Sequence, residues 1–302
     1  MSEQGILFSI IVCSCDKDAA LLVSMKSLLT IQLEDAEIIL VDNGTLGMSS
    51  GFVLTLEAGF SHRSIPFTYV RETNPGLSNA RNAGARRADG TYLLYLDDDC
   101  VPISELLNEY ARAIEVFPRT GIAGGTILPR WEDDSPPDWL PSEFTWVFGE
   151  IKYSSDTVRT LKRREKINGG NFLIRRDYLS KLGGFDPKLG NIGSSFGGAE
   201  EQDLLEMARS EKSTDLIYVP QAVVRHEFPM ERLSPSYVAN RLYKASYDRF
   251  RSDVKRGKWL IVAARSAWYA AKLLAPKPSL NRHQYKGYLD SLLKFIKMRS
   301  VG

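Results

Sequence analysis

At 302 residues the chain is long enough to bury a full α/β core, and one large domain with an appendage is the simplest division of that length. A hydrophobic fraction of 43% and a charged fraction of 25% are those of a globular protein and exclude a fibrous repeat or wholesale disorder. The formal net charge of +2 hides an asymmetry: Tyr237 to Gly302 holds 15 Lys+Arg against 3 Asp+Glu, a net of +12, while the remainder, with 24 against 34, has a net of −10.

FSIIVCS, at residues 8–14, is a short β-rich apolar run, and EIILVDNG repeats the pattern after a helix-length interval. Both read as buried strands that end at a polar loop. FTYVRE and TYLLYLDDD follow, the second preceded by the helical stretch LSNARNAGARRADG. This alternation predicts an α/β fold with a doubly wound, mostly parallel sheet. Ligands in such sheets bind beyond the carboxyl ends of the strands, which here carry Ser14 to Asp16, Asp42 with Asn43, and Asp97 to Asp99. A helix is predicted over 106–116, then a strand at GIAGGTILP. The next stretch, residues 130–155, is rich in Pro, Trp and acidic residues and reads as a lid, a binding loop or a disordered segment. INGGNFLIRRDYLSKLGGFDP gives a strand running into a short helix, AEEQDLLEMARSEK a helix after a glycine-rich loop, and LIYVPQAVVRHE a final strand. From Pro235 the pattern is helical and basic.

Cys13, Cys15 and Cys100 are odd in number and not spaced for a disulfide framework or a four-ligand zinc site, which suits a reducing compartment. The first residues lack the basic start and cleavage site of a signal peptide, so a cytoplasmic protein is expected. The best apolar stretch, Trp259 to Pro276, is interrupted by Arg265 and Lys272, and no membrane span is expected.

Asp97, Asp98 and Asp99 directly after an apolar strand repel one another, and a divalent cation with its phosphates is their natural compensation; a solvated acidic turn is the plainer alternative. The ordered set VCSCDK, EIILVDNG, NPGLSNARNAGARRADGTYLLYLDDD, GGNFLIRR, GGAEEQDLL and VVRHE decides between them, because over roughly the first 230 residues it resembles the family 2 glycosyltransferases. The resemblance implies a GT-A fold and a nucleotide-sugar donor. It divides the chain into a nucleotide-binding half (1–104), an acceptor-binding half (105–236) and a basic helical extension (237–302).

Carried over residue by residue, the resemblance implies that Asp42 contacts the uracil or another base, or its ribose, with Ser14 and Asp16 beside it. Cys13 stands where the family usually has proline. Arg81 is implied to orient the nucleotide or sugar, Asp98 to face the ribose, and Asp97 the donor sugar or Arg81. Asp99 is the implied ligand of Mn²⁺ or Mg²⁺, and His226 a second ligand or phosphate contact. Glu201 aligns with the usual catalytic Asp as the base, Glu200 is the alternative, and Asp203 orients the acceptor or the helix start. Gly169, Gly170 and Asn171 resemble the donor-sugar loop. Trp131, Trp139 and Trp146 are offered either as stacking surfaces for sugar faces or as core anchors.

The expected reaction is metal-dependent transfer of a hexose from a nucleoside diphosphate sugar, a UDP-sugar by preference, to the hydroxyl of a glycan or lipid-linked saccharide, with inversion. A non-catalytic nucleotide-sugar or glycan-binding module is the alternative. A nucleotidyltransferase fits less well, because Val12 to Lys17 holds no glycine. For the basic tail two readings stay open: a partner surface for the anionic inner face of the membrane, with Leu242, Tyr243, Tyr247, Phe250, Trp259 and Trp268 among its apolar residues, or a helical cap complementing the acidic body. No nucleic-acid partner is expected, since no recognised module accompanies the charge.

Overall fold

The structure is a computed structural model that describes residues 5–15, 18–103, 105–189, 200–211, 213–255, 257–273 and 280–300. Two compact units emerge, one of Met1–Ser135 with Phe148–Phe228 and one of Pro136–Val147 with Pro229–Gly302. One sheet takes strands from residues 1–104 and from residues 105–228 alike.

In chain order the first unit reads β1 (Phe8–Ser14), α1 (Asp18–Leu28), β2 (Ala36–Asp42), α2 (Ser50–His62), β3 (Phe67–Arg71), α3 (Leu77–Arg87), β4 (Tyr92–Asp97), β5 (Cys100–Pro102), α4 (Leu106–Val116), β6 (Thr120–Pro129), β7 (Arg159–Thr160), β8 (Phe172–Arg175), α5 (Arg176–Lys181), α6 (Glu200–Arg209) and β9 (Asp215–His226). The sheet order is β3-β2-β1-β4-β8-β6-β9-β5, with β7 beside β9. The first four strands are parallel; β8 enters antiparallel between β4 and β6, and β6 and β9 are parallel again.

Every residue of β1 and β2 is buried, as continuous apolar strands require when helices cover both faces of a sheet. Alternate side chains serve two layers. Ile10, Val12, Ile38, Leu40, Leu94 and Leu96 join one core with Leu21 and Met25 of α1, Phe60 of α2 and Tyr110 of α4. Their neighbours Ile11, Ile39, Val41, Leu93 and Tyr95 join the other with Ala80 and Ala83 of α3, Tyr178 of α5 and Leu204 and Leu205 of α6. The small residues of α3 have a reason: a Cβ on Gly84 would lie 2.5 Å from Ile11 Cγ2, so the helix rides close on the sheet.

Strand register brings the chemistry together. Cys13 is level with Asp97, and Ser14 with Asp42. After Asp97 the chain turns at once into β5, which pairs antiparallel with β9 so that Cys100 faces His226. This three-residue strand carries His226 to the acidic triplet, and the Glu227 N–H donates to the Asp99 carbonyl at 2.8 Å.

Trp131 is buried in an aromatic cluster, 5.3 Å from the Phe148 ring and 5.6 Å from the Phe228 ring, and so serves as a core anchor. Trp139 and Trp146 are exposed and belong to the second unit. That unit is built on α7 (Pro235–Lys255), α8 (Trp259–Leu273) and α9 (Asn281–Ser300), with Phe250, Val262, Tyr269 and Tyr288 in its core. Inside it the buried Asp253 is paired with Arg265 and takes a hydrogen bond from the Tyr288 hydroxyl at 3.2 Å.

Candidate active site

Arg81, on the inner face of α3, is buried and holds three acids from two elements. Its Nη1 lies 2.8 Å from Glu200 Oε1 and 3.0 Å from Glu201 Oε1, both at the start of α6, and its Nη2 lies 3.4 Å from Asp97 Oδ1 at the end of β4. Burial works against the guanidinium charge, but Glu201, Glu200 and Asp97 outweigh it and hold Arg81 firmly protonated. The Phe185 ring packs against the guanidinium at 5.5 Å. Phe185 is fixed in turn by Asn82, whose side chain bonds both the backbone N–H and the carbonyl of Phe185.

Around this cation the carboxylates are crowded. Burial pushes Asp97 up to about 6 against the pull of Arg81, with Asp99, Glu201 and Asp98 adding like charge. Glu200 rises to about 7, first from burial and then from Glu201, again opposed by Arg81. Among the described residues Glu200 Oε2 is buried without a hydrogen-bond partner. Glu201 is the more accessible of the two, and its Oε1 also accepts the Gly169 N–H at 2.9 Å. Gly169 has to be glycine here: a Cβ would fall 1.8 Å from Arg81 Nη2 and 2.4 Å from Glu201 Oε1.

On the other side of the triplet, Asp98 accepts the Ser14 hydroxyl at 2.6 Å, and His226 Nε2 lies 3.4 Å from Asp99 Oδ1. His226 Nδ1 lies 2.6 Å from the Phe148 carbonyl, which can only accept, so Nδ1 carries a proton and Nε2 is the atom turned to Asp99. Burial opposes protonation of this ring, yet the bond to Asp99 and its charge prevail and raise its pKa. Asp97, Asp99 and Cys100 place ligand-type atoms within 4.8 Å of one another. The carboxylate oxygens suit a hard divalent ion such as Mn²⁺ or Mg²⁺, and His226 Nε2 lies next to Asp99. The Cys100 thiol, buried and held well above its ordinary pKa, stays protonated and is a neighbour of that set.

Two of the residues named from the sequence are bonded within the fold itself. Asn171 is fully buried, its amide donating to the carbonyls of Thr126 and Ala222 and its oxygen accepting the Tyr110 hydroxyl at 2.7 Å. These bonds make its side chain a clamp tying α4, β6 and β9. Asp42 is also buried, and each of its oxygens already takes two donors: Gly44 N and Arg71 Nη1 on Oδ1, Met48 N and the Tyr69 hydroxyl on Oδ2. It shapes the loop after β2 from within. Gly170 lies at the site floor, where a Cβ would come within 3.3 Å of Asp97 Oδ2. Asp203 is on the first turn of α6. Asp16 lies outside the described residues.

Asn82, Phe185, Tyr69 and Arg71 escaped the sequence reading, because a residue that acts by bonding a backbone group or facing a ring leaves no spacing signature. Asn43, which the sequence places at the end of β2, bonds Glu72 O, Asn74 O and Gly76 N through its side chain and so sets the entry to α3.

A parallel β3-β2-β1-β4 half-sheet with an acidic triplet at its carboxyl edge, and an acidic helix start facing it across a buried arginine, defines a glycosyltransferase fold of the GT-A type. The sequence agrees, since the model of glycosyl transferase family 2 matches residues 9–183, and the chain belongs to that family. Among its relatives is an uncharacterised glycosyltransferase of Haemophilus influenzae, 27% identical over 188 residues, which cover 62% of this chain and 58% of the relative. The chain thus spans somewhat over half of that protein's length. Similar solved structures include Staphylococcus aureus TarS 1-349 in complex with UDP-GlcNAc, at TM-score 0.53 and 15% identity, covering 95% of this chain and 71% of that one. The mannosyltransferase PcManGT of Pyrobaculum calidifontis, in complex with GDP-Man and Mn²⁺, has TM-score 0.55 and 14% identity, covering 99% and 77%. At these identities the likeness is one of fold.

Proposed function

We propose that the chain is a metal-dependent glycosyltransferase that moves a sugar from a nucleoside diphosphate sugar, preferentially a UDP-sugar, to a hydroxyl of a glycan or lipid-linked saccharide, with inversion by single displacement. The observation that carries the reading is the Arg81 hub, which sets the acids of β4 and of α6 on either side of one fixed cation.

Asp99 and His226 Nε2 would hold Mn²⁺ or Mg²⁺, with Asp97 beside them. Such an ion supplies Lewis-acid neutralisation of the diphosphate leaving group. Asp98, oriented by Ser14, serves the ribose side, and the loop that Asp42 shapes serves the base. Glu201 takes the proton of the acceptor hydroxyl: Arg81 and the Gly169 N–H anchor its Oε1, which leaves Oε2 for that proton. Glu200, buried deeper and pushed toward neutrality, positions Arg81.

A panel of UDP-, GDP- and dTDP-sugars screened for thermal stabilisation with and without Mn²⁺ tests the donor side, because a ligand of the folded state stabilises by mass action. The expected result is stabilisation by one nucleotide class that requires Mn²⁺ and is lost in Asp99→Ala. Stabilisation by no donor, or equal stabilisation of Asp99→Ala, would overturn the reading.

A further inference from the structure

Helix α8 is inside out for a helix in water. Val262 and Tyr269 face the core of the three-helix unit, and so does the charge: Arg265 pairs with the buried Asp253 and lies over the Tyr288 ring at 5.6 Å. The outward surface holds Trp259, Leu260, Ile261 and Trp268, joined along the helix by five exposed alanines, and every exposed residue from Trp259 to Ala271 is apolar. Leu260 is 88% exposed. A helix at a water boundary turns its polar face outward, and a continuous uncovered apolar face marks a binding surface.

We propose that this face of α8 lies in the interfacial layer of an anionic lipid bilayer. At 15 residues α8 is too short to span, and no helix among the described residues is long and apolar enough to cross a membrane, so it lies in the plane of the surface. Tryptophans near both ends, Trp259 and Trp268, suit the headgroup depth where an apolar ring with one polar edge is most stable. The charge around the patch selects the lipid: Lys258 and Lys272 bracket the helix, exposed Lys286 and Lys294 follow on α9, and residues 237–302 carry a net of +12. A second copy of the chain would bring that same positive surface against itself, which like charge opposes. Leu242 and Phe250, apolar residues interleaved with the basic ones of the tail, are buried on α7, so the inserting surface is the next helix. The proposal stands apart from the transferase reading and is tested without activity.

The test is flotation of the full chain with phosphatidylcholine vesicles, with and without phosphatidylglycerol, at low salt. The wild type is expected to float with the anionic vesicles and to stay at the bottom with the neutral ones. Leu260→Ser/Ile261→Ser, two exposed positions whose change leaves the melting temperature unmoved, is expected to lower partitioning at least about tenfold. Lys258→Gln/Lys272→Gln is expected to weaken it by a smaller factor that vanishes at high salt. Failure of the wild type to float with anionic vesicles, or flotation of the serine variant equal to wild type, would overturn the proposal. A wild-type dimer that the serine variant converts to monomer would assign the face to a second copy instead.

Discussion

Asp97 and Glu200 pair with Arg81 through Nη2 and Nη1, with their carboxyls pushed up to about 6 and about 7. A carboxyl raised by folding holds its proton more tightly in the folded chain than in the unfolded one, where it titrates near about 4. Its contribution is therefore favourable at low pH and is lost as pH rises from about 4 through 6 and 7. A metal ion competes with these protons and with the proton on His226, so stabilisation by Mn²⁺ should grow between pH 5 and 7.5, as differential scanning fluorimetry can follow; a flat or inverted profile would count against Asp97 and His226 lining the metal site. Thiol chemistry gives a second check. Cys13 and Cys100 are buried with raised pKa values, about 12 for Cys13, whereas Cys15 is exposed. Iodoacetamide at neutral pH should label Cys15 alone in the folded chain and all three after unfolding, as counted by mass spectrometry. At this scale Asp97 to Asp99, His226 and Glu201 were legible in the sequence because they fall in ordered motifs. The interior roles of Asn171 and Asp42 were not, since a side chain that clamps carbonyls or organises a loop is spelled like one that binds a ligand.

The short helical turn at Gly169–Asn171 packs against Arg81 on one side and reaches between β6 and β9 on the other. Gly169→Ala should force Arg81 off the α6 acids and lower turnover about 10²-fold or more, as expected when a misplaced positioning residue shifts the reacting geometry. Asn171→Ala behaves differently. It leaves the Thr126 and Ala222 carbonyls and the Tyr110 hydroxyl buried without their partner, at about 1–3 kcal/mol for each such group, and so should cost several kcal/mol in urea unfolding. A variant of unchanged stability would contradict the clamp role of the Asn171 side chain. Long elements such as β1, β2, β4 and β9 were readable from their continuous apolar runs. The three-residue β5 and two-residue β7 were not, being shorter than any periodicity, nor was the antiparallel entry of β8, because a strand's pattern does not name its neighbour.

Over the whole molecule the charge division nearly coincides with the structural one: the sheet unit lies wholly within the acidic remainder, and the basic segment forms most of the three-helix unit. Composition made that division visible; it did not show that α8 turns its apolar side outward, which depends on Arg265 finding Asp253 inside. A lipid-linked acceptor would bring the two proposals together, since a membrane-resting helix unit would keep the catalytic unit near its substrate. Glu201 as the base of a transferase is tested by turnover of the best-stabilising donor with Mn²⁺ in wild type and Glu201→Gln, alongside donor affinity. Glu201→Gln is expected to keep donor affinity within a few-fold and to lose about 10²- to 10⁴-fold in kcat, with Glu200→Gln less impaired. Wild-type turnover in Glu201→Gln, or a dead Glu200→Gln beside an active Glu201→Gln, would contradict it.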